Sequence, residues 1–226
     1  MKNTIIIGIS LLVTAMLGSC SADTDNNQQK TTVSRESTIV QNEQSQSNTL
    51  VVYYSEPESE GTDAVAGASR AEYDNRILGN TALMAEWVAG ETNSDIHEIA
   101  TVDAYPGNHE KLVEQVKEEL SSDFRPELTT TVENLDNYEI IFIGYPIWWS
   151  DIPTPLYTFL ENTDLSGKRI IPFSTHGGSG FSSTISIIAN LQPDAEVETE
   201  NVLTISRNDI SDSKDEVRDW LTKVDI

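Results

Sequence analysis

One cysteine, Cys20, and three histidines, His97, His109 and His176, are all that this 226-residue chain offers to a transition metal, a disulfide or a thiol relay. A lone cysteine closes no loop, and three scattered histidines make no ligand set of the usual nitrogen and sulfur kind. Basic residues are scarce as well: 14 lysines and arginines stand against 37 acidic residues, a formal net charge of −23. Such a chain repels nucleic acid and anionic lipid surfaces, and most of its carboxylates read as solubilising. No apolar run approaches the roughly 20 residues needed to span a bilayer. There is no G-x-S-x-G after a strand, no G-x-x-x-x-G-K-[ST], and no G-x-G-x-x-G opening a helix, which sets aside serine hydrolases, P-loop nucleoside triphosphatases and dinucleotide folds. No internal repeat is visible.

What is present begins with a short targeting pattern. Lys2 supplies a positive start, Ile5 to Met16 is apolar but too brief to cross a membrane, and Leu17-Gly18-Ser19 leads with small residues to Cys20. This resembles a bacterial lipoprotein signal. The resemblance implies that residues 1–19 are removed, that Cys20 is lipidated, and that the mature chain is held outside the cytoplasmic membrane. An ordinary secretory signal with a chance cysteine is the alternative. Residues 20–48 then form a tether rich in Asp, Asn, Gln, Ser and Thr, with Val33, Ile39 and Val40 as its only large apolar residues. Such a composition buries too little to offset its ordering entropy, and as a coil it reaches about 30 Å.

Residues 49–226 read as one α/β domain. Strands are expected at 49–54, 95–100, 139–144, 169–173 and 202–206, and helices at 81–90, 109–120, 155–161, 182–191 and 213–224. Strict alternation of this kind builds a parallel sheet by right-handed crossovers, with helices on both faces. The run Glu139-Ile140-Ile141-Phe142-Ile143 is as apolar as a strand buried on both faces requires. It ends in Gly144-Tyr145-Pro146-Ile147-Trp148-Trp149, placing two indoles at the carboxyl end of a strand, where open parallel sheets bind ligands. Stacking on a flat ligand would use them well. A second strand gives way to Ser174-Thr175-His176-Gly177-Gly178-Ser179-Gly180, a loop of bare N–H groups and hydroxyls.

Together with Val51-Val52-Tyr53-Tyr54-Ser55 and Gly79-Asn80-Thr81, these loops resemble the flavodoxin-like FMN proteins, over Thr49 to the C-terminus. The resemblance implies a doubly wound sandwich with a five-stranded parallel sheet in the order 2-1-3-4-5, a noncovalently bound FMN, and electron transfer. Ser55, Gly79, Asn80 and Thr81 would hold the phosphate, with Pro146, Ile147, Trp148 and Trp149 beside the ring on one side. Thr175, His176, Gly177, Gly178, Ser179 and Gly180 would line it on the other. Taken locally, Asn80 or Thr81 merely caps a helix. One tryptophan is expected to face the ring and the other to pack inward, while Trp87 and Trp220 read as core. His176 either answers charge on the reduced ring or turns to solvent. No catalytic side chain is implied, since the chemistry belongs to the flavin.

The chain departs from the family pattern in one place. Between Ser55 and Gly79 stands an insertion, residues 56–78, acidic at its start and small-residued at Ala64 to Ser69. It either lids the phosphate pocket, or displaces Ser55, or is a structureless excursion. Three functions remain open: an electron carrier docking with a redox partner, for which an acidic surface suits basic partners; an NAD(P)H-dependent FMN or quinone reductase; and a flavin-free binding module.

Overall fold

The computed structural model describes residues 47–60 and 69–226. These belong to the compact unit Glu43–Ile226. The signal segment, Cys20, nearly all of the tether and positions 61–68 of the insertion lie outside the described residues.

Six strands make one parallel sheet: β1 (Thr49–Tyr53), β4 (Asp95–Glu98), β5 (Ile140–Pro146), β6 (Arg169–His176), β7 (Glu196–Val197) and β8 (Leu203–Ser206). Their order is β4-β1-β5-β6, with β7 and β8 both paired to β6. This is the expected order 2-1-3-4-5, with the fifth position split in two. β7 pairs Arg169 and Ile170 at one end of β6, and β8 pairs Phe173 to His176 at the other. The interruption has a cause at Glu198, whose Oε1 accepts the backbone N–H groups of Thr199, Glu200 and Asn201 and so takes them out of the ladder.

Alternation along the strands sorts the core into two layers. Leu50, Val52, Ile141, Ile143 and Ile170 point to one face, where helices α2 (His109–Ser122), α3 (Thr154–Asn162) and α4 (Thr184–Leu191) cover them with Leu112, Leu156, Phe159 and Ile188. Val51, Phe142, Ile171 and Phe173 point to the other, under α1 (Asn80–Thr92) and α5 (Lys214–Leu221), which contribute Leu83, Met84, Trp87, Val217 and Trp220. Trp87 and Trp220 are each 5 % exposed, the core positions their helical stripes imply. Each fully buried aliphatic or aromatic side chain of this set is worth roughly 1.5–3 kcal/mol relative to exposure.

Besides β7, two strands have no counterpart in the expected list. β2 (Arg70–Tyr73) and β3 (Arg76–Gly79) form an antiparallel hairpin inside the insertion. Its two-residue turn is Asp74-Asn75, with φ of 51° and 58°, the left-handed pair that a tight hairpin demands and that Asp and Asn tolerate. The hairpin seats on α1: Tyr73 meets Trp87 edge-on at 5.2 Å, and Arg76 makes a two-pronged contact with Glu86 at 3.0 and 2.7 Å. This part of the insertion is therefore structured, contrary to the excursion reading. β5 and β6 also run further than expected, so Pro146, Thr175 and His176 are strand residues rather than loop residues.

Candidate functional site

At the carboxyl ends of the strands a cleft of about 260 Å³ opens. Helix α1 begins there in an unusual way. Gly79 occupies the N-cap position with extended backbone and no side chain caps the helix, so neither Asn80 nor Thr81 has the capping role available to it from local sequence. Both are instead buried, at 4 % and 1 % exposure. The Asn80 N–H donates to the Ser69 carbonyl at 3.0 Å. The rest of the first turn keeps the unpaired N–H groups and positive dipole end that favour an anion. No acidic residue stands in this first turn, as in those of α3 and α4, whereas Glu110 stands in that of α2, and Asp215 and Glu216 in that of α5.

Ser55 is not displaced by the insertion. A Cβ on Gly79 would lie 2.1 Å from Ser55 Oγ, so it is the absence of a side chain at 79 that lets the serine hydroxyl stand against the helix start. Ser55, Asn80, Thr81 and Thr175 all line the cleft, and the Thr81 and Thr175 hydroxyls are hydrogen-bonded at 2.8 Å. From Ser55 the chain continues as a strap along the cleft. Ser69 Oγ accepts the Glu58 N–H at 2.8 Å, and the Glu60 N–H donates to the Gly107 carbonyl at 2.8 Å, which ties the strap to the start of α2. Glu56 and Glu58 line the cleft from it. His109 Nδ1 donates to Glu58 Oε1 at 2.8 Å, and the Tyr54 hydroxyl donates to Glu56 at 3.1 Å. Burial pushes the Glu56 carboxyl above its usual value, against the pull of that tyrosine bond.

The two indoles divide their work. Trp148 is half-buried and meets Tyr54 and Tyr105 edge-on, each at 5.4 Å. Behind it the Tyr105 hydroxyl donates to buried Glu119 at 2.7 Å, and Glu119 also accepts from Gln115 and Thr154, which fixes the ring that backs the indole. Trp149 is 59 % exposed, and its Nε1 points to the Val113 carbonyl of α2 at 3.4 Å. Both line the cleft with Pro146 and Ile147. The turn that separates them is strained. Trp148 and Asp151 pair across it at 3.0 and 2.9 Å while Trp149 and Ser150 sit at φ of 51° and 66°. A bulky residue at positive φ is an outlier, of a kind that gathers at ligand sites.

On the far wall, His176 turns back on its own loop, accepting the Gly178 N–H on Nδ1 at 2.8 Å. Gly177 lines the cleft; Gly79, Gly178, Ser179 and Gly180 do not. Gly178 and Gly180 lie at φ of 130° and 60°, so glycine is required there for backbone shape. Sequence reasoning missed the contribution of α2, whose Leu112, Val113 and Val116 form an apolar wall, and of Arg207, just beyond β8. An amphipathic stripe reads as core whether or not a cleft cuts across it, and Arg207 arrives through the pairing of β8 with β6.

Comparison with known proteins agrees with this geometry. Structures of provisionally named flavoproteins from Bacteroides uniformis and Bacteroides eggerthii share 26 % and 25 % identity, with TM-scores of 0.60 and 0.58. The alignments cover 78 % and 79 % of this chain and 99 % and 98 % of theirs. A Lactobacillus acidophilus flavoprotein solved in complex with FMN aligns at 20 % identity and a TM-score of 0.52, over 76 % of this chain and 97 % of its own, and shares the fold. No curated protein matches. The flavodoxin family model matches residues 74–224, the span from the hairpin turn through both cleft loops to the last helix, and the chain belongs to that family.

Proposed function

We propose that this chain is an FMN-binding electron carrier, tethered outside the cytoplasmic membrane of a bacterium through lipidated Cys20. The observation that carries the flavin reading is the convergence of three distant segments on one cleft: the uncapped start of α1 beside Ser55, the strained turn that presents Trp149, and the Thr175–Gly177 wall. The residues present fit the group. A glycine keeps Ser55 against an acid-free helix start suited to a phosphate, and aromatic and apolar side chains flank the space beside it. The Lactobacillus acidophilus relative, of the same fold, was solved with FMN.

On this reading Ser55, Thr81 and the first-turn N–H groups of α1 hold the phosphate, Trp149 and Ile147 bear on the ring, and Trp148 is a fixed backing. FMN supplies electron transfer at its own ring, so the protein's task is to bind, orient and tune it. The carrier role is favoured by the exposed Trp149 at the cleft mouth and by a net charge of −23, which suits docking with a basic redox protein. The test is the absorbance of the purified chain before and after addition of FMN, followed by NADH or NADPH under argon. A carrier becomes yellow and stays so with nicotinamide; bleaching by nicotinamide makes it a reductase, and failure to take up FMN removes the flavin reading altogether. Incorporation of labelled glycerol or palmitate, lost in Cys20→Ala, tests the anchor.

A further inference from the structure

We propose that Arg207 is the cation that answers the negative charge arriving on the cofactor when it is reduced, a reading that rests on the flavin site above. Three observations lead to it. His176, the residue whose position in the sequence suggests that task, is turned back on its own loop, its Nδ1 accepting the Gly178 N–H at 2.8 Å. The two carboxylates of the cleft, Glu56 and Glu58, make added negative charge unwelcome, and each is already engaged, by Tyr54 and by His109. Arg207 supplies the opposite sign on the same wall as His176. Its backbone N–H donates to the His176 carbonyl at 2.8 Å, and its Nε, Cδ and Cζ lie 3.8 to 3.9 Å from where a Gly177 side chain would begin.

The guanidinium is also unspent. Arg76, Arg125, Arg169 and Arg218 each hold a carboxylate, as expected in a protein with 37 acidic residues. Among the described residues Arg207 holds none, although it lines the cleft. A permanently protonated guanidinium on this wall of the cleft favours the reduced, negatively charged cofactor over the neutral oxidised ring.

The experiment uses the full-length chain loaded with FMN and compares wild type, Arg207→Gln and Arg207→Lys. Two quantities are read: the dissociation constant of oxidised FMN by fluorescence titration, and the two-electron midpoint potential against reference dyes. Arg207→Gln should leave oxidised binding within about twofold while the reduced form binds about tenfold more weakly, a fall in midpoint of about 30 mV for a two-electron couple. Arg207→Lys should recover most of that fall. The assignment is overturned if the glutamine variant keeps the wild-type potential, if lysine behaves as glutamine does, or if oxidised and reduced affinities fall together. A wild-type chain that binds no FMN overturns the flavoprotein reading, and this assignment with it; a chain that binds FMN with an unmoved potential overturns only the role of Arg207.

Discussion

Trp149 sits at φ of 51° and exposes 59 % of its surface, so its backbone and its side chain can be tested separately. Trp149→Ala and Trp149→Gly both remove the indole and its long contact with the Val113 carbonyl. They differ in one methyl group at a position whose backbone disfavours it. A Cβ in the left-handed region costs about 1–2 kcal/mol, while glycine gives back about 0.5–1 kcal/mol through the greater freedom of the unfolded chain. The glycine variant should therefore be the more stable of the two by about 0.5–1 kcal/mol, the reverse of the usual order. Urea unfolding, with equal slopes for both proteins, measures the difference. Flavin binding should move together in the two variants, by the roughly 1–3 kcal/mol that stacking of a flat heterocycle on an aromatic ring is worth, or about 5- to 150-fold in dissociation constant. An alanine variant at least as stable as the glycine one refutes the strained turn, and unaltered FMN affinity in both refutes stacking on Trp149.

A Cβ at Gly144 would fall 2.2 Å from Cζ of Phe173, a ring buried beside Trp220, so Gly144→Ala should cost about 1–3 kcal/mol in a urea melt and recover much of it when combined with Phe173→Leu. Glu198 is held down to about 2 by the backbone N–H groups it gathers and by Arg169. A carboxyl lowered on folding contributes stability in full above its ordinary value of 4.5 and loses it as the pH falls toward 2, so Glu198→Gln should lose stability at pH 7 and show a flatter acid limb over that window. Ala82→Asp places an acid in the first turn of α1, which should raise stability by about 0.3–1 kcal/mol and weaken FMN at least tenfold while leaving riboflavin nearly unchanged; equal losses for the two flavins would remove the phosphate from this helix end.

The strands were legible because buried parallel strands need runs such as Ile140 to Ile143, and the helices because their apolar stripes repeat. What stayed hidden was decided by contacts between segments distant in the chain. Glu198 breaks the fifth strand by collecting N–H groups, which a β-rich run around it does not announce. The hairpin was readable in principle, since Asp74-Asn75 is strong turn chemistry between two short runs, Arg70 to Tyr73 and Arg76 to Leu78, but the segment was weighed whole, as lid, displacement or structureless excursion, and its turn was not singled out. Within the site, the residues following β1, β5 and β6 were foreseen, and the cleft gathers most of them. Arg207 and Leu112 were not, because their approach depends on which strand pairs with which and on how α2 crosses the sheet.

Local field, rather than total charge, decides what this cleft admits. Counter-ions screen exposed carboxylates beyond about 8 Å at physiological salt, so a formal charge of −23 spread over the surface weighs little inside the cleft compared with groups that face it. Those groups are two carboxylates already hydrogen-bonded, an uncapped helix start without an acid, and one arginine that holds no carboxylate among the described residues. An anion that reaches the start of α1 meets bare N–H groups and no acid of the first turn, so that helix end favours a phosphate whatever the total charge of the chain.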